Sequence, residues 1–401
     1  MRPRRIAIVA FSAPPHSSGG VSSAHFNLFR ALQRAGRQAR LFTFGDHGRK
    51  DEPDIIRRGT PSWLVRLLLK VNGLMFGLLQ PDKRAYQTVD IVTSLIGAWR
   101  MSRSIAIYQP DVIILSDHGA PGLMLKKPRG AKIVLISHHN PARFIFNPKL
   151  ADFSDLDARW ALRLEQHVLK NVNAVVCPSS YMQDWFRRSY RFPGLVQVIP
   201  NLVDGEMLDS ITAFDLRPQL GLKPKELLVY IPSGGSRLKG SQYIPQIIKI
   251  LCGQSETSIG FYIPGGVSPD FLNQVSEMPA QARFCIAGQI PYEEHIANMK
   301  SCSFGISPSI IENYSMALLE AVYCGVPMLA FDTGGNADII RSGENGYLVS
   351  EGDVNALGKR AIYLLNAKKL EALQTKTLLF SRKELSSTKA LNAYLELIAS
   401  L

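Results

Sequence analysis

The chain has 401 residues, of which 46% are hydrophobic, and this length exceeds the size at which one core usually keeps growing. Two domains of roughly 200 residues are therefore expected. The five cysteines are odd in number and never spaced as C-x-x-C, which argues against both a disulfide framework and structural zinc. A basic N-terminus leads directly into an apolar run without a cleavage site, so we expect a cytoplasmic protein.

Positive charge is concentrated in the first half. Residues 1–200 carry 29 Lys and Arg against 13 Asp and Glu, a net charge of +16, whereas the remaining residues have a net charge of −3. Nucleic acid, an anionic membrane surface and an acidic acceptor are all compatible with this charge. The basic residues are dispersed among apolar runs and not clustered with exposed aromatics, which disfavours nucleic acid.

Short apolar runs alternate with amphipathic segments along the whole chain. In the first half this pattern predicts buried strands at residues 6–11, 38–44, 112–115, 132–136 and 174–177. Helices are expected between them, for example at 22–35 and 154–170. A second set of strands is expected at 227–231, 260–263, 283–286, 304–306 and 328–331. The alternation indicates an α/β protein with two doubly wound parallel sheets, in domains 1–203 and 204–384.

Residues 61–80 depart from this alternation. On a helix, Arg66, Lys70, Gly73 and Gly77 form one narrow stripe, and nearly everything else is apolar. Such a helix could lie in a membrane interface, with basic residues at anionic headgroups. Four basic residues flank it in the sequence: Arg57, Arg58, Lys83 and Arg84. The alternatives are a buried helix whose Lys and Arg reach outward, or part of an acceptor pocket.

A glycine-rich turn follows the strand expected at 227–231. Gly234 and Gly235 would let backbone N–H groups approach a phosphate, and Arg237 with Lys239 would supply the charge that a diphosphate requires. The turn is neither a Walker loop nor a dinucleotide fingerprint, and an ordinary turn is the alternative.

Glu312 and Glu320 are separated by seven residues of mostly apolar sequence. On one helix, which Gly325 and Pro327 would end, an offset of eight returns to nearly the same face about 12 Å further along the axis. Both carboxylates would then face one ligand. The alternative is that Glu312 caps the helix and Glu320 neutralises a buried cation.

These residues carry a specific resemblance. In the second half, motifs recur at a family's spacing: Lys239-Gly240, Gly288, Glu312 to Glu320, and residues 307–309, 324–327, 331–335 and 345–349. In the first half the similarity is looser: Gly19-Gly20, residues 109–113 with His118, His138-His139-Asn140, and residues 199–204. The chain resembles a retaining glycosyltransferase of the family 4 type, of the kind found in bacterial lipopolysaccharide and exopolysaccharide biosynthesis. The resemblance implies the GT-B fold, with two Rossmann-like domains and an interdomain cleft.

The resemblance implies a donor site in the second domain. Glu320 would accept hydrogen bonds from ribose hydroxyls, Glu312 would hold the sugar, and Lys239 would neutralise the diphosphate. The residues around these three would complete the donor site: Arg237, Gly234, Gly235, Gln289, Ile290, Asn313, Tyr314, Ser315 and Met316. Asn313 to Ser315 stand where the family more often has Gly-Phe-Gly, so the sugar stays open.

The first domain would bind the acceptor and contribute His139, which the resemblance implies reaches the donor sugar. His138 is the alternative, and His118 has either a functional or a merely structural role. Gly19 and Gly20 would let the first loop approach a substrate. A last helix at about 385–401 would return to this domain. The Asp-x-Asp pattern at 155–157 matches a metal motif of the other main glycosyltransferase fold, but its place at a helix start favours capping.

The implied reaction moves a sugar from a nucleotide-diphosphate sugar, a UDP- or GDP-sugar by expectation, to a glycan or lipid-linked hydroxyl. It would proceed with retention and without metal or other cofactor. A separation of about 12 Å along one helix is too long for the two carboxylates to act as a glycosidase pair. An epimerase or an inverting transferase is the nearest alternative, and a non-catalytic basic binding protein is a more distant one. The expected location is cytoplasmic, with peripheral contact at the inner membrane.

Overall fold

A computed structural model describes residues 4–15 and 19–401. The chain divides into two compact units, one with residues up to Leu202 together with Thr388–Leu401, the other Val203–Ser387.

The first unit is built on a seven-stranded parallel sheet. Its strands are β1 (Arg5–Ala10), β2 (Gln38–Thr43), β3 (Ile55–Ile56), β4 (Val112–Ser116), β5 (Lys132–Ile136), β6 (Ala174–Cys177) and β7 (Leu195–Val198). The order across the sheet is β3-β2-β1-β4-β5-β6-β7. The α-helices that precede Leu202 are α1 (Gly20–Arg34), α2 (Ser62–Leu79), α3 (Gln87–Tyr108), α4 (Ala142–Ile145), α5 (Asp155–Val168) and α6 (Ser180–Ser189).

The second unit has a six-stranded parallel sheet. Its strands are β8 (Leu227–Tyr230), β9 (Ile259–Pro264), β10 (Ala282–Gly288), β11 (Phe304–Ser307), β12 (Met328–Asp332) and β13 (Gly346–Ser350), in the order β10-β9-β8-β11-β12-β13. Its α-helices are α7 (Gly205–Ser210), α8 (Ile244–Cys252), α9 (Pro269–Val275), α10 (Tyr292–Lys300), α11 (Met316–Tyr323), α12 (Val354–Tyr363) and α13 (Ala367–Glu384). The last helix of the chain is α14 (Ser387–Ser400).

All ten predicted strands are present, and their ends shift by at most two residues. Three further strands were not predicted: β3, β7 and β13. β3 has only two residues, and β7 and β13 are edge strands that are only partly buried. Edge strands are covered on fewer sides, so they lack the continuous apolar run that identifies a central strand.

Helix α14 belongs to the core of the first unit. Its Ala390, Tyr394, Leu397 and Ile398 are buried in the same apolar cluster as residues of β1 and α1. The spacing of four, three and one places these side chains on a single face, which therefore covers one side of the first sheet.

Helix α2 is exposed along most of its length. Only Asn72 and Phe76 of its 18 residues are buried. By length and composition alone it could cross a membrane, and it is the one such helix among residues 4–15 and 19–401. The interpretation as a buried core helix is therefore wrong. Arg57, one of its predicted basic neighbours, is buried and pairs with Asp46 at 2.7 Å, so its charge is not presented to a surface.

Candidate active site

The second sheet changes direction between β8 and β11. These strands are neighbours, yet the chain reaches β9 and β10 on one side before it returns to β11 on the other. The chain therefore leaves these two strands toward opposite halves of the sheet, and open α/β sheets bind ligands at such a change of direction. Lys239 lies on the loop after β8, and Glu312 lies on the loop after β11.

Gly240 brings these two loops into contact. Its φ is +79°, and a Cβ atom there would lie 1.8 Å from the carbonyl oxygen of Pro308. The backbone N–H of Ile310 also donates to the carbonyl of Leu238 at 3.1 Å. Only glycine fits both the left-handed conformation and the close approach, which explains the Lys-Gly pair in the sequence.

Lys239 and Glu312 form an ion pair within this contact. The Lys239 Nζ atom lies 2.7 Å from Glu312 Oε1. Glu312 is only 7% exposed, whereas the Lys239 side chain is 44% exposed. The ion pair therefore fixes the buried carboxylate, and the more exposed ammonium group has two further donors that a ligand could use.

The two predicted carboxylates do not share a helix. α11 begins at Met316, with Ser315 as its N-cap, so Glu312 lies in the irregular segment before it. Tertiary contacts hold this segment: a Cβ atom on Gly334 would lie 1.9 Å from the Glu312 carbonyl, and Thr333 donates to the carbonyl of Ile310 at 3.3 Å. The prediction that both carboxylates lie along one helix axis is wrong, because α11 begins only after Glu312, and its N-cap residue is Ser315.

Glu320 lies inside α11 and is buried. The phenol of Tyr292, at the start of α10, donates a hydrogen bond to Glu320 Oε1 at 2.8 Å. Burial raises the pKa of Glu320 to about 7, although the Tyr292 hydrogen bond lowers it. The partner of Glu320 is thus a phenol and not the buried cation of the alternative interpretation.

Tyr292 was missed in the sequence. It follows Pro291 directly after the loop that leaves β10, the same loop in which Gln289 and Ile290 were predicted. A signal was present, because a buried carboxylate requires a donor and the carboxyl end of β10 lies at the same sheet edge.

The remaining predicted residues of the second unit lie in the loops at this edge. Gly235 lies against the loop after β9, since a Cβ atom there would meet the Gly266 carbonyl at 2.3 Å, and Gly234 pairs with Val267. Arg237 is exposed in the same short 3-10 turn as Lys239. Gln289 and Ile290 follow β10, whose Gly288 carbonyl accepts from Gly265 at 2.7 Å. Asn313, Tyr314, Ser315 and Met316 lead into α11.

In the first unit, His139 is partly exposed and lies beside a cluster of buried polar residues. Its backbone N–H donates to Asp117 Oδ2 at 2.8 Å, and its Nδ1 atom lies 3.8 Å from Glu165 Oε1. The Tyr190 hydroxyl donates to the other oxygen of Glu165. Burial raises the pKa of Glu165 to about 8 and lowers the pKa of His139. At neutral pH the imidazole of His139 is therefore uncharged and held by neighbours that are themselves buried.

The adjacent histidines have different surroundings. His138 is buried, and its Nε2 atom lies 2.9 Å from Asn201 Oδ1. His118 Nε2 lies 3.3 Å from Asp90 Oδ2, and its ring contacts the ring of His139. The structure therefore distinguishes an inner His138 from a partly exposed pair, His118 and His139, after β4 and β5.

Gly19 and Gly20 stand at the beginning of α1, where Gly19 is the N-cap and Gly20 the first helical residue. They follow the loop after β1, the neighbour of β4 at the direction change of the first sheet. These glycines, at the start of α1, and the pair of partly exposed histidines, on the loops after β4 and β5, thus lie at one edge of that sheet.

Asp157 has a structural role. Its two carboxylate oxygens accept the backbone N–H groups of Tyr86, Gln87 and Thr88, at the start of α3. The cap of its own helix, α5, is instead Ser154, whose side chain accepts the Asp157 N–H, and Asp157 caps α3. Within residues 4–15 and 19–401, no three His, Cys, Asp or Glu side chains converge as a metal site would require.

Two family profiles match the chain. The profile described as "Glycosyl transferases group 1" matches residues 213–377, and "Glycosyltransferase Family 4" matches residues 18–206. An uncharacterized glycosyltransferase from Methanocaldococcus jannaschii is 32% identical over 301 residues, which cover 74% of this chain and 76% of that protein. A phosphatidylinositol N-acetylglucosaminyltransferase subunit from Saccharomyces cerevisiae is 22% identical, over 66% of this chain and 58% of the yeast protein's length.

Solved structures share the architecture. Sucrose-phosphate synthase from Thermosynechococcus elongatus superposes with a TM-score of 0.76 at 19% identity, over 99% of this chain and 100% of that one. HepE from Anabaena, solved in complex with UDP-glucose, superposes with a TM-score of 0.70 at 17% identity, over 99% and 100% of the two chains. At identities of 19% and 17%, the similarity shows a shared fold.

Two parallel α/β units with these neighbours define the GT-B class of transferases, which fits the two Rossmann-like domains expected from the sequence. The chain belongs to the family 4-type glycosyltransferases and is an enzyme of the EC 2.4 type.

Proposed function

We propose that this enzyme transfers a sugar from a nucleotide-diphosphate sugar to a hydroxyl of a glycan or lipid-linked acceptor, with retention of configuration and without a metal ion. The supporting observation is the Lys239–Glu312 ion pair at the direction change of the second sheet. It combines a half-exposed cation with a buried carboxylate, and a nucleotide sugar presents the matching groups, a diphosphate next to a polyol.

The diphosphate would bind at Lys239. Its ammonium group has two donors beyond the one used on Glu312, and the exposed Arg237 lies two residues earlier in the same turn. The backbone N–H groups at the start of α11 would add a partial positive charge. Stabilising the leaving diphosphate in this way lowers the barrier to breaking the glycosidic bond.

The ribose would bind at Glu320. A carboxylate can accept two hydrogen bonds from a vicinal diol, and these bonds would replace solvation that Glu320 lacks in its buried position. Gln289 and Ile290, on the loop after β10, would lie beside the base. UDP-glucose in the complex of HepE makes a UDP-sugar the first donor to test.

Glu312 would orient the sugar ring through its hydroxyls, with Lys239 fixing the carboxylate. In the first unit, the neutral His139 would act as a hydrogen-bonding group for the sugar. An oxygen of the departing phosphate would take the proton of the attacking hydroxyl, which would favour attack from the face that the diphosphate leaves. The expected setting is biosynthesis of a cell-surface polysaccharide or glycolipid in the cytoplasm.

Calorimetry with UDP, GDP and ADP tests the donor site. Wild-type protein should bind one of the three, and Glu320→Ala should weaken that binding. If none of the three binds wild type, the donor site is assigned wrongly.

Whether the reaction retains the anomeric configuration is tested on the sugar that is released. Slow hydrolysis of UDP-glucose, followed by NMR in the presence of EDTA, should first release α-glucose. A β-anomer first would indicate an inverting enzyme, a different free sugar would indicate an epimerase, and loss of turnover in EDTA would contradict metal independence.

A further inference from the structure

Helix α2 turns a largely apolar side toward solvent. Five large apolar side chains recur along it at spacings of three and four residues, and each is at least half exposed: Trp63, Leu67, Val71, Leu74 and Leu78. At 100° per residue they fall within an arc of about 80°. We call these five residues the α2 face.

The opposite side of α2 is anchored in the first unit. Phe76 is 1% exposed and packs edge-on against Trp160 of α5, with ring centroids 5.6 Å apart. Asn72 donates to the Thr88 hydroxyl of α3 at 3.1 Å. The helix is about 27 Å long, long enough to cross a bilayer, but crossing would expose Asn72 to lipid and break these contacts. A bilayer can therefore contact only the exposed side of α2, with the helix lying along its surface.

Basic residues lie directly beside the α2 face. Arg66 and Lys70 are exposed on the adjoining part of the helix surface, and α2 contains no acidic residue. On α3, Arg103 lies over the exposed ring of Trp99 at 5.0 Å. This part of α3 is tied to the start of α2, because the Gly97 N–H donates to Thr60 Oγ1 at 3.1 Å. Two exposed cations thus adjoin the apolar strip on α2, and a further cation and an exposed tryptophan lie on the neighbouring helix α3.

We propose that the α2 face binds the surface of an anionic lipid bilayer, with α2 parallel to the membrane plane. The apolar side chains would enter the boundary between headgroups and acyl chains, and Arg66 and Lys70 would meet lipid phosphates. A second copy of the chain is the less suitable occupant, because the cores of protein interfaces are depleted in lysine and Lys70 lies near the middle of the outward side. The net charge of +16 in residues 1–200 favours the same partner.

Vesicle flotation tests the proposal with the full chain and without nucleotide or sugar, so its result does not depend on the proposed function. We expect binding to vesicles in which roughly one lipid in three is phosphatidylglycerol and the others are phosphatidylcholine. The double variant Leu74→Ser/Leu78→Ser should bind at least about tenfold more weakly. The variant Arg66→Gln/Lys70→Gln should lose about 20- to 30-fold on these vesicles and little on pure phosphatidylcholine. As a matched control, Leu272→Ser/Leu379→Ser removes two comparably exposed leucines of the second unit and should leave binding unchanged.

A measurement on unaltered protein makes the test independent of how the variants fold. Lipids with brominated acyl chains should quench the tryptophan fluorescence of the wild type, and Trp63→Phe should remove most of the quenching. Absence of binding to anionic vesicles, or binding without quenching, would overturn the proposal. A dimer in solution that Leu74→Ser/Leu78→Ser dissociates would also overturn it, since the face would then belong to a second copy.

Discussion

The Nζ atom of Lys239 lies 2.7 Å from Oε1 of Glu312, and this pair joins the loops that leave two adjacent strands, β8 and β11. The two residues are 73 positions apart in the sequence. Their contact depends on Gly240, which lets the two backbones approach, and on Gly334, which has no side chain to clash with the Glu312 carbonyl.

Removing the cation of this pair should disable the proposed donor site. Lys239→Met takes away the charge proposed to meet a diphosphate and leaves Glu312 buried without this partner, so we expect any turnover of UDP-glucose to fall by about 100- to 1000-fold. Steady-state kinetics and UDP calorimetry measure the effect. Lys249→Met, which removes an exposed lysine of α8, is the control and should behave like wild type. Wild-type affinity of Lys239→Met for UDP would contradict the assignment.

Nucleotide binding should depend on pH through Glu320. Its pKa of about 7 means that the carboxylate is ionised above pH 7 and protonated below it. If ribose hydroxyls donate to the ionised carboxylate as proposed, UDP affinity should fall by roughly tenfold between pH 8 and pH 6. Calorimetry across this range measures it. In Glu320→Gln, only the ionisation of UDP itself should still change the affinity with pH. In Tyr292→Phe, the pH at which the affinity is half lost should rise, because the variant lacks the hydrogen bond that lowers the pKa of Glu320.

Gly240 can be tested separately from its charged neighbour. Gly240→Ala places a methyl group against the Pro308 carbonyl, so it should cost more than the roughly 1 to 2 kcal/mol of left-handed backbone alone. Gly221→Ala is the matched control: its φ is +65°, but no atom lies within 4 Å of the added carbon. Urea unfolding gives both values. Equal losses for the two variants would show that the loops do not press together at Gly240.

Glu165 should make the stability of the protein depend on pH. Its pKa is raised to about 8 by burial, so the proton that it binds in the folded state favours folding at low pH. That contribution is complete below the unfolded-state pKa of 4.5 and is lost as the pH rises through 8. Between pH 5 and pH 9, wild type should lose up to about 4 kcal/mol relative to Glu165→Gln. Calorimetric unfolding at the two pH values measures this, and parallel profiles would contradict a neutral Glu165.

The features that the sequence predicted correctly are local ones. Each of the ten predicted strands was found, since a strand buried on both faces requires a continuous apolar run. The end of α11 was also predicted correctly, because Gly325 takes the left-handed φ of +85° that an αL cap requires.

The contacts within the candidate site were predicted less accurately from the sequence than the strands were. Glu312 was expected on the same helix as Glu320, because apolar spacing alone cannot distinguish the first turns of a helix from a loop that packs against a neighbour. Tyr292 lies 28 residues from Glu320, and the sequence indicated only that both follow strands ending at the same sheet edge, not that their side chains are hydrogen-bonded.

The sequence by itself determined the family, the two sheets and the residues that gather at the edge of the second sheet, because strand periodicity and motif spacing are properties of the chain. Only the tertiary structure decided what each carboxylate contacts: Lys239 at Glu312, and Tyr292 at Glu320. It also decided that α2 is exposed, since burial depends on which elements pack against a helix. Hydrogen bonds and desolvation depend on the distance between atoms in space, which spacing along the chain does not specify.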